Sequence, residues 1–285
     1  MSHKVFVYGT LMQGEAHHNF LANAKLLAEQ AWVKGTLFET DDYFPALIEG
    51  DETVYGELYE VSDSELAALD ELEEYFMDPN RDLYERKSLE VGTDGGRHVA
   101  YGYLLVKPRR AMLQGKIPHQ NWKVHQWMKE KDYLYFAYGS CMDNDRFKKA
   151  GVDHLFTDCL GRGVLEGYTL KFAMKGTEGG AADIVEDGGV VEGKVYRVNR
   201  EALDYLYVRE GVQAGHYRPQ VISVTLNGEK VDVLTFIVID KHDELTPTEI
   251  YATEILRGGK ETLSKDYWDA LHQRIKSDFK INVKI

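Results

Sequence analysis

The sequence predicts an α+β fold built as two similar domains. Three observations lead there. The chain has 285 residues, about twice the length of a common domain. Short apolar runs bounded by glycine alternate with capped helical patterns in each half. The same blocks also recur in the same order in both halves. KVFVYGTLM (4–12) aligns with LYFAYGSCM (134–142) at an offset of 130. VYGELYEVSDSELAALDELEE (54–74) aligns without gaps with VEGKVYRVNREALDYLYVREG (191–211) at an offset of 137. Tyr84 in LYER matches Tyr217 in HYRP at 133. Ordered matches with so little drift mark an internal duplication, and the expected domains are 1–128 and 129–285.

The elements follow in chain order. VFVY and YFAY read as buried strands, each turning at Gly9 or Gly139 toward a polar segment of helical character. The second block reads as strand, then helix. Ser62 and Glu65 form a capping box, and Asn199 is the cap candidate in the other copy. Leu66, Leu69 and Leu72 make the buried stripe of the first helix, Leu203 and Leu206 that of the second. Gly211 suits the helix stop. Gly56 and Gly193 mark a bulge or a close backbone approach. Further strands are expected at 99–106, 220–226 and 231–239, and a closing helix at 266–276. Residues 114–132 read as a linker, with Trp122 and Trp127 as signs that it packs on something.

The formal net charge is −13, and it is unevenly placed. Residues 51–85 hold 13 acids against the single base Arg81. That bias argues against a nucleic-acid or anionic-membrane partner, since either needs a positive face. No apolar run is long enough for a transmembrane helix, and the N-terminus does not read as a signal peptide. Cys141 and Cys159 form neither a disulfide framework nor a metal set, so a reducing, cytoplasmic setting is expected. No phosphate-binding glycine loop, HExxH, EF-hand loop or GxSxG elbow is present.

The polar residues shared by the copies are few: Tyr8/Tyr138, Thr10/Ser140, Tyr59/Tyr196, Glu73/Glu210 and Tyr84/Tyr217. A strand ending in Tyr-Gly-Thr/Ser aims successive backbone N–H groups at one point, which suits a carboxylate or an oxyanion. The alternative is an ordinary turn with a capping hydroxyl; duplication of the turn favours function. The glutamate falls 11 residues after the cap in both copies, at the unfavourable end of the helix dipole. Partial burial there would raise its pKa into the range of a proton carrier. Glu71, Glu73 and Glu74 compete in the first copy, and register with Glu210 selects Glu73. His17 and His18 lack a third metal ligand, His216 reads as surface or structural, and Cys141 reads as small buried packing.

At these residues the chain resembles the gamma-glutamylcyclotransferase-like superfamily. VFVYGTLMQGEAHHNFL, FPALIEG, YGELYEV and LDELEEYF are similar to the gamma-glutamylamine cyclotransferase branch. YFAYGSCM, GGAADIV, REGVQAGHY and PTEIYATEILRGGKE are similar to the gamma-glutamylcyclotransferase branch. The tandem arrangement resembles the bacterial two-copy YkqA-type proteins. The resemblance implies two small mixed β-barrels with flanking helices, which pack on each other. It implies that Tyr8, Gly9, Thr10 and Leu11, and in the second copy Tyr135, Phe136, Ala137, Tyr138, Gly139 and Ser140, bind the substrate. Glu73 and Glu210 would be the general acid/base, and Tyr251 would contact the substrate. The implied reaction releases 5-oxoproline from a small gamma-glutamyl amino acid, peptide or amine, with no cofactor and no metal. Cys141 departs from the asparagine common after YGS, which touches substrate preference. A module that binds a gamma-glutamyl or other carboxylate ligand without turnover, with one or both copies inactive, is the alternative. A third reading makes one copy a packing partner for the other.

Overall fold

The structure, a computed structural model, describes residues 2–176 and 179–285. The chain divides into two compact units, Met1–Gln126 and Trp127–Ile285.

In the first unit the strands are β1 (Ser2–Val7), β2 (Lys25–Thr40), β3 (Pro45–Ser62), β4 (Tyr84–Thr93), β5 (Gly96–Leu105) and β6 (Leu113–Lys116); α1 spans Asp63–Leu72 and α2 spans Trp122–Trp127. The strand order is β3-β1-β5-β4-β2-β6, and a β2–β3 pairing closes the first five into a ring. β1 runs antiparallel to β3 and parallel to β5. Closure leaves only the short β6 as an edge on β2. The core lies inside and beneath this ring, from Val5 and Phe6 through Leu47, Leu58, Val91 and Tyr103, with Leu66 and Leu69 of α1 packed onto it.

The second unit contains β7 (Tyr133–Ala137), α3 (Asn144–Ala150), β8 (Cys159–Lys175), β9 (Gly180–Val198), α4 (Arg200–Arg209), β10 (Tyr217–Leu226), β11 (Glu229–Val238), α5 (Glu249–Gly259) and α6 (Lys265–Phe279). Its five strands form a closed barrel, β10-β11-β7-β9-β8. Here too the first strand, β7, is antiparallel to β9 and parallel to β11. The copies agree in register as well as topology. Val5 faces Tyr59 and Tyr135 faces Tyr196; Val7 faces Glu57 and Ala137 faces Lys194. The duplication read from the sequence is therefore a duplication of the barrel itself.

Both predicted caps are present. Ser62 and Glu65 complete a capping box, and the Asn199 side chain accepts from the N–H of Ala202; such caps contribute about 1 kcal/mol each. Gly56 and Gly193 are positions of close approach. A Cβ at Gly56 would lie 2.1 Å from the Val7 carbonyl and 2.9 Å from the Phe6 ring. At Gly193 it would lie 2.4 Å from the Ala137 carbonyl and 2.7 Å from the Phe136 ring.

Two expectations are corrected. The turn at Gly9 leads to one 3-10 turn, His18–Leu21, rather than an α-helix; only the second copy has a helix there, α3. The stretch 114–132 is not a free linker over its first part. Gln120 accepts from the N–H of Leu37 at 2.6 Å, and Ile117 and Trp122 are buried in the core of the first unit. The indole N–H of Trp122 reaches Glu15 at 3.0 Å. The two tryptophans signalled this packing, and the buried side chains that anchor the stretch are Ile117, Gln120, Asn121, Trp122 and Val124.

Candidate active site

In the first unit the turn after β1 and the end of α1 meet at a cavity of about 180 Å³. Tyr8, Gly9, Thr10, Leu11 and Glu73 all line it, together with Phe44, Pro45, Tyr84 and Tyr103. Strand β1 delivers the turn, and a buried phenol fixes it: Tyr8 donates to the carbonyl of Tyr103 on β5 at 2.6 Å. Tyr84 on β4 donates to the carbonyl of Pro45 at 3.1 Å and holds the start of β3 against the cavity. Among the described residues nothing accepts from the N–H groups of Thr10 and Leu11, so both donors remain available at the turn. The Thr10 hydroxyl lies 3.1 Å from Nδ1 of His17.

Glu73 is the C-cap of α1, its N–H bonded to the carbonyl of Leu69 at 2.9 Å. The side chain keeps partial solvent contact, yet the surrounding protein desolvates its carboxyl and pushes the pKa up to about 7. Burial is the largest cause that holds the phenols of Tyr8, Tyr84 and Tyr103 in their neutral form; the Glu73 charge adds to it, after Tyr84 at Tyr8 and after Asp70 at Tyr103. The chain leaves the helix through Glu74, which adopts φ +50.

In the second unit the corresponding cavity is larger, about 470 Å³. Tyr135, Tyr138, Gly139, Ser140, Glu210 and Tyr251 line it. Phe136 and Ala137 lie outside the lining; the Phe136 ring is instead the partner of Gly163 and Gly193. The framework repeats atom for atom. Tyr138 donates to the carbonyl of Phe236 at 2.5 Å, and Tyr217 donates to the carbonyl of Ala182 at 2.8 Å. The N–H groups of Ser140 and Cys141 have no acceptor among the described residues. Glu210 caps α4 through its N–H to Leu206 at 2.8 Å, and Gly211 (φ +61) provides the left-handed exit.

The surroundings of the two glutamates differ. Burial again raises the Glu210 pKa, but Arg209, the Cys141 thiol and Arg146 pull it back down. Cys141 donates to Oε1 of Glu210 at 3.3 Å and receives Nε of Arg209 at 3.0 Å. Its thiol is pushed up to about 11, by burial and then by the Glu210 charge, and so stays protonated. Cys141 is buried, as expected, and is in addition a hydrogen-bonded neighbour of the glutamate. His216 is exposed, as expected, and sits among the residues that line the cavity. Tyr251, from α5, accepts from the N–H of Ala182 at 3.1 Å, with its phenol raised to about 12 chiefly by burial. Buried Glu254 on the same helix pairs with Arg146, and Arg257 pairs with Asp143. No group of His, Cys, Asp and Glu suited to a metal ion occurs among the described residues.

Among the lining residues with no role assigned from sequence are Tyr103, Pro45 and Arg209. Tyr103 is Phe236 in the other copy and Pro45 is Ala182, so identity gave no signal; register alone would have found them. Arg209 stands opposite Leu72 and occurs in one copy only.

Comparison with known proteins bears on both halves. A profile of the family described as gamma-glutamyl cyclotransferase, AIG2-like, matches residues 5–124, and one of the AIG2-like family matches residues 190–271. YkqA of Bacillus subtilis (strain 168) is 41% identical over 283 residues, 97% of this chain and 99% of its own. The chain belongs to the gamma-glutamylcyclotransferase family. The crystal structure of YkqA matches with a TM-score of 0.87 at 40% identity, covering 97% of this chain and 98% of that one. Tandem architecture is therefore shared across the full length. The gamma-L-glutamyl-butirosin B gamma-glutamyl cyclotransferase of Niallia circulans is 41% identical over 101 residues, 35% of this chain and 65% of its own. Within this family both halves of the chain carry the same turn, the same tyrosine clamps and a glutamate at the same helix end.

Proposed function

We propose that the protein is a gamma-glutamyl cyclotransferase with one site in each copy, releasing 5-oxoproline from a small gamma-glutamyl amino acid, peptide or amine. The observation that carries this reading is the pairing, in both cavities, of a desolvated glutamate with a turn whose successive N–H groups are unpaired. Those donors suit the glutamyl carboxylate or the oxyanion formed at its γ-carbonyl. Glu73 and Glu210 are the proton carriers. The carboxylate takes a proton from the α-ammonium of the substrate, and the freed amine attacks the γ-carbonyl carbon. The new C–N bond closes a five-membered lactam. As the old γ-amide bond breaks, the protonated carboxyl hands its proton to the departing nitrogen. The second proton shed by the α-nitrogen follows, and the product leaves as an ammonium ion. Because the nucleophile is tethered, orientation supplies much of the rate, with effective molarities of roughly 10⁵ M or more for well-placed intramolecular attack. The Glu73 carboxyl, with its pKa raised to about 7, is matched to giving and taking a proton at neutral pH.

The test is 5-oxoproline release from a panel of gamma-glutamyl amino acids and amines by the full chain and by Glu73→Gln/Glu210→Gln. Release that the double variant abolishes supports the reading. Undiminished release by the double variant overturns it, and ligand-induced thermal stabilisation with no product would make the protein a binding module instead.

A further inference from the structure

The residue before each glutamate is Leu72 in the first copy and Arg209 in the second, and both line their cavities. The two linings differ in charge. The first carries Glu73, Glu74 and His17 and contains no lysine or arginine. The second carries Glu210 with Arg146, Lys175, Arg209 and His216. Arg146 is neutralised by Glu254. Arg209 is only partly so: its Nε lies 3.6 Å from Oε1 of Glu210.

The Arg209 side chain is held rather than free. Its Nε donates to the Cys141 sulfur at 3.0 Å and its Nη2 to the Ser140 hydroxyl at 3.2 Å, which fixes the plane of the guanidinium. Nη1 has no acceptor among the described residues. A positioned guanidinium with an unused donor in a cavity wall is suited to a carboxylate.

Every gamma-glutamyl substrate carries the same α-carboxylate, and the first cavity would have to bind it without any lysine or arginine. Elements common to both copies, the turn N–H groups, therefore suit that shared group. A cation present in one copy only is left to meet what differs between substrates, the departing amine. We propose that position 72/209 reads the charge of the leaving group. Arg209 directs the second cavity to conjugates whose departing amine bears a carboxylate. Leu72, beside Glu73 and Glu74, leaves the first cavity to departing amines that are neutral or cationic. This rests on the cyclotransferase reading above and adds to it a specificity-determining residue.

The test uses the full chain with one site silenced: Glu73→Gln reports the second cavity, Glu210→Gln the first. The probes are L-γ-glutamyl-L-alanine and L-γ-glutamyl-L-alaninamide, which differ in the charge of the leaving group. A charge-assisted contact predicts that Glu73→Gln prefers the alanine conjugate in kcat/KM by about tenfold or more, and that Glu210→Gln shows no such preference. Adding Arg209→Gln to Glu73→Gln should bring the ratio close to one, whereas Arg209→Lys should keep most of it. Leu72→Arg in the Glu210→Gln background should raise the ratio, a gain that misfolding cannot imitate. Equal ratios in the two single-site proteins overturn the inference. So does an Arg209→Gln effect that lowers both substrates equally while moving the rate–pH limb, because Arg209 would then act through Glu210. Absence of 5-oxoproline from every protein overturns the parent reading, and this one with it.

Discussion

The two copies keep the same scaffold and surround it with different charges. Two of the three retained tyrosine pairs use their hydroxyls to tie strands together around the cavity: Tyr8 and Tyr138 bond β5 and β11, and Tyr84 and Tyr217 bond the starts of β3 and β9. Side chains that only set the field have changed. Glu57 and Lys194 occupy the same register position and pin the same loop through opposite partners. Glu57 accepts the N–H of Gln13 at 2.8 Å and is neutralised by Lys123, while Lys194 donates to the carbonyl of Met142 at 2.9 Å. Either sign of charge can hold a peptide unit, since each peptide offers both a donor and an acceptor. A hydroxyl bonded to a backbone carbonyl in a barrel strand has no such freedom, so it stayed.

The largest effect expected from breaking this parallel is catalytic. Glu73→Gln and Glu210→Gln should each remove about 10²- to 10⁴-fold of the rate at its own site, leaving the other site's substrates turned over; steady-state 5-oxoproline assays separate the two. Next are the opposed loop anchors. Glu57→Gln strips the buried partner from Lys123 and should cost about 2 kcal/mol, against about 1 kcal/mol for Lys194→Met, which loses one neutral acceptor contact; denaturant unfolding measures both. A pH-linked effect of similar size follows from Glu73. Its folded pKa, about 7, lies above the unfolded value, so the folded state favours the protonated carboxyl. Stability is fully present at acid pH and is lost as pH rises toward 7, by about 2 kcal/mol after allowing for solvent contact. Glu73→Gln should lack that slope, whereas Glu210→Gln should remove less of it, because Arg209 and Cys141 already oppose the Glu210 shift. The smallest effect concerns the helix exits. Glu74 and Gly211 both have positive φ, and a Cβ at Gly211 would meet the His216 ring at 2.6 Å. Gly211→Ala should therefore lower stability by about 1 kcal/mol or more, and Glu74→Gly should raise it by about 1 kcal/mol or less.

Much of this comparison was legible in the sequence because the chain is its own alignment. Register with Glu210 picked Glu73 from three neighbouring glutamates; Glu71 is exposed, and of Glu73 and Glu74, which both line the cavity, Glu73 is the more buried. Caps and glycines were legible because each states a local backbone need: Ser62 and Asn199 satisfy helix N–H groups, while Gly56 and Gly193 admit a ring. What could not be read was whatever occurs once. Arg209 has no counterpart, and Cys141 faces Leu11 in the alignment, so neither could be weighed by repetition. Their importance comes from the fold, which brings Cys141 against Arg209 and Glu210 across 68 and 69 residues of chain. Phe136 and Ala137 illustrate the converse, since adjacency to the turn in sequence does not place a strand residue on the cavity side.

The most direct test of a shared scaffold carrying two different fields is the pH dependence of kcat/KM for the two single-site proteins. Glu210→Gln, reporting Glu73 alone, should show an ionisation limb near pH 7, set by desolvation. Glu73→Gln, reporting Glu210, should show its limb at lower pH, because Arg209 and the Cys141 thiol favour the charged carboxylate. Coincident limbs, or a higher one for Glu210, would contradict the assignment of opposed electrostatic surroundings to the two glutamates.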